Sequence, residues 1–159
     1  MQTTGHAEIG IVNMYEYSCE VKRVVDGDTM DVILDLGFDI LYFSRVRLGG
    51  IDTPESRTRD LDEKARGKLA KAFLQECIKG KKVVLKTRLK DSRGKFGRII
   101  ADVWVEFEKG SMRNVNELMI KECHAVKYNA ENKTLVEEAH MANRALLIEK
   151  GLFVPKEES

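Results

Sequence analysis

Four carboxylates stand in two short clusters of this 159-residue chain: Asp26 and Asp28 on either side of a glycine, then Asp52 and Glu55 on either side of Thr53-Pro54. Each cluster follows a run with strand periodicity, which puts it at a turn or strand end, and neither has a His or Cys beside it. Such all-oxygen sets suit calcium, magnesium or manganese and suit zinc poorly. Arg47 precedes Asp52 on the same strand, and Arg98 follows the basic stretch KDSRGKFG. Planar guanidinium groups pair bidentately with phosphate oxygens and stabilise charge developing on a phosphoryl group. Singly, Asp-Gly is a turn former, DTPE a helix entry and a strand-end Arg a solvated surface group. Together they have the composition of a metal-assisted phosphoryl-transfer site.

The elements that must position these residues can be read from periodicity. Tyr15, Tyr17, Cys19 and Val21 alternate with polar residues, as do Met30, Val32, Leu34 and Leu36, so the turn around Asp26-Gly27 closes a hairpin. In a third strand the apolar phase moves from Leu41 and Phe43 to Val46 and Leu48, which predicts a bulge near Ser44 and Arg45 and puts Arg45 and Arg47 on one face. After Pro54 the period lengthens to about 3.6 residues, predicting a helix of about 18 residues with Leu61, Ala65, Leu69, Ala72 and Phe73 inward and Gly80 at its end. Val83, Leu85 and Leu89 mark a fourth strand, and Ile99, Ala101, Val103, Val105 and Phe107 a fifth. Asn114 caps a short helix, and a third runs over about 134–150 with Leu135, Ala139, Ala142 and Leu146 inward. Five short antiparallel strands with three helices leave too few crossovers for a parallel sheet and fit an α+β, mainly β, five-stranded Greek-key barrel of the OB type.

Composition narrows the class. Apolar residues at 43% and charged residues at 33% give a soluble globular chain, and no run approaches the length of a membrane span. A net charge of +1 excludes a general polycation, yet residues 79–98 hold nine Lys or Arg against one Asp, so a basic face adjoins an acidic remainder. The three cysteines fit no zinc or redox spacing and read as buried thiols. The start of the chain lacks a basic flank followed by an apolar run, so a cytoplasmic location is expected, although a longer form could be secreted. A flexible segment 1–14, a domain over 15–152 and a tail over 153–159 are expected.

Three blocks, DGDT at Asp26–Thr29, RLGGIDTPE at Arg47–Glu55 and KFGR at Lys95–Arg98, resemble the signature motifs of the staphylococcal nuclease (thermonuclease-like) family in order and spacing. The resemblance implies calcium-dependent hydrolysis of DNA and RNA with little sequence specificity, leaving 5′-hydroxyl and 3′-phosphate ends. It implies that Asp28, Asp52 and the carbonyl of Thr53 hold the metal, with Asp26 behind them. It makes Glu55 the base for the attacking water and Arg47 and Arg98 the phosphate ligands. Lys95 matches a lysine that contacts a neighbouring phosphate, Phe96 replaces an expected tyrosine, and Tyr128 matches one of two tyrosines of the nucleotide pocket. The second is missing from NAENK.

A monomer acting on single-stranded or flexible DNA or RNA, away from membranes, is the leading expectation. The alternative is a catalytically silent barrel that binds nucleic acid or protein; it would be expected to lose a metal carboxylate, Glu55 or an arginine, and this chain keeps them all. A plain single-strand binder would need more exposed aromatics on its strands than Tyr42 and Trp104 supply. Trp104 is expected to pack beneath a helix, and His124 to be an ordinary surface or core residue.

Overall fold

A computed structural model of the chain describes residues 15–88 and 98–156. The expected N-terminal segment, Leu89, the KDSRGKFG loop with Lys95 and Phe96, and the last three residues of the tail lie outside the described residues. β1 (Glu16–Asp26) and β2 (Thr29–Asp35) form a hairpin with only Gly27 and Asp28 between them. β2 then pairs with β3 (Leu41–Leu48). A two-residue strand β4 (Ile51–Asp52) leads to α1 (Leu61–Ile78), which is 18 residues long and capped by the Asp60 carboxylate. β5 (Val83–Thr87) lies between β1 and β6 (Ile99–Glu108), and β6 turns back into β7 (Ser111–Asn114). Asn114 caps α2 (Val115–Lys121), β8 (Val126–Lys127) pairs with β4, and α3 (Lys133–Glu149) follows, capped by Asn132.

The barrel closes where β3 and β6 run parallel through Val46–Ile99, Arg47–Ile100 and Leu48–Ala101. The sheet is therefore mixed rather than purely antiparallel, because β6 returns from the far side of α1 and β5 in the same direction as β3. Alternate residues of the strands fill the interior, including Met30, Val32, Val46, Leu48, Leu85 and Val103, while Ala70 and Leu74 of α1 and Val115 and Met119 of α2 complete the same core. A smaller cluster of Cys123, Leu147 and Phe153 packs against Ala65 and Leu69 of α1. The cysteines are free thiols, and burial pushes that of Cys19 up to about 12.

Three local expectations are corrected. β3 pairs with β2 without a break from Arg47 to Leu41, and the irregularities lie in β1 between Val21 and Arg23 and between Val24 and Asp26. The change of phase in β3 arises because the hairpin end runs past the barrel, leaving Leu41, Tyr42 and Phe43 all exposed. α1 buries Ala70, Leu74 and Cys77 rather than Leu61 and Ala72, with Ala65 and Leu69 turned to the smaller cluster. α3 leaves Leu135 and Leu146 exposed and points His140, Asn143 and Arg144 inward, with Leu147 its one buried residue. Trp104 carries the Lys86 ammonium 4.3 Å above its ring. His124 is a core residue stacked on Phe73, with burial holding its pKa below the usual histidine value.

The seam is secured by buried Asn116, whose side-chain oxygen accepts from Val103 N at 3.0 Å and whose amide donates to Gly49 O at 2.9 Å. A buried polar group left without its partner costs about 1–3 kcal/mol. Asn116→Leu strands two such groups, so its urea midpoint should correspond to a loss of about 3 kcal/mol or more.

Asp62 joins α1 to α3, accepting from Arg66 Nε at 2.8 Å and from Arg144 Nε at 3.0 Å. Burial alone would raise its pKa, but the two arginines outweigh burial and hold it below the ordinary carboxylate value. A lowered folded pKa contributes stability above the unfolded value of about 3.9, and that contribution disappears as pH falls through the folded value. Asp62→Asn should therefore melt below wild type at neutral pH, and the two melting curves should draw together below about pH 3.9.

Candidate active site

The β1–β2 turn fixes the first carboxylates. Asp26 accepts from Gly27 N at 3.0 Å, and a Cβ on Gly27 would meet Ala70 Cβ at 2.8 Å and Thr53 Oγ1 at 3.1 Å, so only glycine allows the turn to sit this close to α1. Asp28 is buried; its Oδ1 accepts from Thr29 Oγ1 at 2.9 Å, and its backbone carbonyl accepts from Leu48 N at 2.8 Å. The pairing of Thr29 with Arg47 carries the arginine to the same spot.

Arg47 links the two halves of the site. Its Nη2 lies 3.7 Å from Asp28 Oδ2 and 3.7 Å from Asp52 Oδ1, and its guanidinium carbon stands 5.5 Å from the centroid of the exposed Tyr128 ring. Asp52 is placed by the β4–β8 pair, in which it faces Val126, two residues before Tyr128. Thr53, next along, is buried. Asp28, Arg47, Asp52 and Tyr128 thus converge from four separate segments.

Glu55 and Arg98 meet at a cleft of about 780 Å³ that Asp26 and Thr29 also line. The Glu55 side chain is exposed, while its backbone N–H donates to Glu63 Oε1 at 3.2 Å. Arg98 immediately precedes β6, so the same strand that closes the barrel delivers it. Lys95 and Phe96 lie outside the described residues.

Sequence reasoning missed two residues here. His140 Nε2 lies 2.8 Å from Asp52 Oδ2, and Arg57 lines the cleft with Glu55. The available signal for His140 was the helical spacing Val136, His140, Asn143 and Leu147, one position out of phase with the apolar stripe. For Arg57 there was no signal beyond its place two residues after Glu55.

A match to the family described as staphylococcal nuclease homologue covers residues 45–149, from Arg45 to the end of α3. The chain belongs to the staphylococcal nuclease family. It is 32% identical to the thermonuclease of Staphylococcus intermedius over 119 residues, which is 75% of this chain and 67% of that protein. It is 34% identical to protein ParB of Escherichia coli over 113 residues, 69% of this chain and 56% of that protein. Micrococcal nuclease of Shigella flexneri is 30% identical over 123 residues, 74% of this chain and 62% of that protein. The chain thus spans between about half and two thirds of the length of these relatives.

In this staphylococcal nuclease homologue two of the carboxylates, Asp28 and Glu55, have raised pKa values. Burial pushes Asp28 up, more than Arg47 and the Thr29 hydroxyl pull it down. Glu55, exposed but partly desolvated at the cleft wall, is raised by that desolvation and then by the charges of Asp26, Asp28, Asp52 and Glu63. Among the described residues no three His, Cys, Asp or Glu side chains form a cage able to hold a metal by themselves. What the site offers is two carboxylate oxygens converging on one guanidinium, hard donors for an oxygen-ligated cation that would offset the cost of keeping Asp28 charged.

The Glu55 backbone rests on α1 at Gly67. A Cβ on Gly67 would lie 2.6 Å from the Glu55 carbonyl carbon and oxygen and from Ser56 N. Alanine normally favours a helix over glycine by about 1 kcal/mol. Gly67→Ala should nevertheless lower the melting temperature and shift the amide resonances of Glu55 and Ser56, because the clash is with backbone that must move.

Proposed function

We propose that the protein is a metal-dependent nuclease that hydrolyses phosphodiester bonds of DNA and RNA with little sequence specificity. The observation that carries this reading is the convergence of Asp28, Arg47 and Asp52 beside a cleft lined by Glu55 and Arg98. Relatives named thermonuclease and micrococcal nuclease support a nucleic-acid substrate. No element described above resembles a helix presented to a DNA groove, and phosphate contacts carry no base information.

Asp28, Asp52 and the Thr53 carbonyl would hold the cation, calcium by family resemblance, with magnesium and manganese also compatible with oxygen donors. A bound cation supplies Lewis-acid polarisation of the phosphoryl group. Arg47 and Arg98 bind the remaining phosphate oxygens and neutralise the added charge of the five-coordinate transition state. Glu55 takes the proton of the water that attacks phosphorus, and the raised pKa of its carboxyl makes it a better proton acceptor than an ordinary surface glutamate. The P–O5′ bond breaks, the 5′ oxygen is protonated from solvent, and the products carry 5′-hydroxyl and 3′-phosphate ends. Tyr128 offers an exposed ring beside Arg47 on which one base can stack. Single-stranded or otherwise flexible strands, whose bases are free to stack, are the preferred substrates.

Cleavage of labelled single-stranded DNA and RNA with calcium, magnesium or a chelator tests the reading. Glu55→Gln and Arg47→Ala should each lower kcat by about 10²–10⁴, and chelation should abolish cutting. A wild-type protein that binds either strand yet leaves it intact with every metal would overturn the enzyme in favour of a binding module.

A further inference from the structure

The described residues form a second large cavity apart from the catalytic cleft. It is a groove of about 860 Å³ between the second half of β1 and the outer side of α1. Lys22, Arg23, Arg57, Lys71, Lys79 and Lys81 line it, against the two acids Glu20 and Glu76. Lys22 is neutralised by Glu20 at 3.0 Å, and Arg23 reaches Asp31 at 3.6 Å. Arg57, Lys71 and Lys79 have no ion-pair partner among the described residues. A chain of net charge +1 thus concentrates uncompensated cations along one concave surface, where each raises the cost of the others until an anion fills it.

Arg57 lines this groove and the catalytic cleft alike, so the two depressions share a wall. We propose that the groove between β1 and α1 is a second binding track for the substrate, taking the phosphate backbone of the polynucleotide as it leaves the cleft past Arg57. The inference rests on the nuclease reading for the identity of the strand and assigns its path. Lysine ammonium groups contact phosphates as point charges without reading bases, so the track adds affinity for long strands and no sequence preference. It lies on the Glu55 side of the site, whereas Tyr128 stands on the Arg47 side.

The test compares wild type with the double variant Lys71→Gln, Lys79→Gln and with a control of equal charge change outside the groove, Lys121→Gln, Lys133→Gln. Binding of a long fluorescent single strand is followed by anisotropy as a function of salt, and the kcat/KM values for the long strand and a dinucleotide are taken as a ratio. For the groove variant, affinity should fall about tenfold and the salt slope should decrease by about 1.4, the value for two phosphate contacts on a single strand. The long-to-short kcat/KM ratio should fall in step, and the control should follow wild type. If wild type cuts nothing but binds, and the groove variant alone loses affinity and slope, the nuclease reading fails while the track stands. Equal losses in groove variant and control, no loss in either, or a wild type that binds no strand would each overturn the track.

Discussion

A curled sheet becomes a barrel only when its free edges meet, and here they meet through three parallel pairs between β3 and β6. Everything at the candidate site depends on that seam. Arg47 is itself the middle residue of the β3 side, and Arg98 enters β6 one residue before the seam begins. Asn116 locks it from beneath by bonding to Val103 and Gly49, so α2 holds in register the strands that carry both arginines. A slip of one residue would turn Arg47 into the core and Val46 out of it, which the buried positions of Val46 and Leu48 forbid.

The site built on this seam brings together like charges. Asp26, Asp28, Asp52 and Glu55 come from two turns, and the charges of their neighbours add to the cost of ionising Asp28 and Glu55, with Arg47 as the shared counter-charge between Asp28 and Asp52. Such a cluster persists only because the surrounding framework is rigid: the closed barrel, the tight Gly27 turn and the contact of Gly67 with the Glu55 backbone. On the proposed reading the same arrangement would receive a cation and a phosphate together, since preorganised charge need not reorganise when the ligand arrives.

Much of this was legible in the sequence. Period-two alternation located the barrel strands, the lengthened period gave α1 at its observed length, and Asn114 announced α2. The motif blocks singled out Asp28, Arg47, Asp52, Glu55 and Arg98, and the fold brings them to one side of the barrel. What was illegible was non-local. The parallel direction of the seam is a property of chain path rather than of any strand's pattern. Leu41 and Phe43 look like core residues because apolarity does not reveal where a strand outruns its barrel. His140 escaped because an inward helical face is ordinarily apolar, and on α3 it is largely polar.

That polar face sets the order in which the molecule comes apart. α3 is held by His140 to Asp52, Asn143 to the Ala125 carbonyl and Arg144 to Asp62, with Leu147 as its buried apolar anchor. Because water replaces a lost polar partner, each such contact holds the helix by only about 0.5–1.5 kcal/mol net, more where a charged group takes part, whereas nothing replaces the apolar contacts of the barrel. A helix held in this way is expected to open at a lower free energy than the barrel, and its opening would leave Asp52 without the His140 contact. Local opening of α3 would thereby reach the candidate site without disturbing the strands that define it.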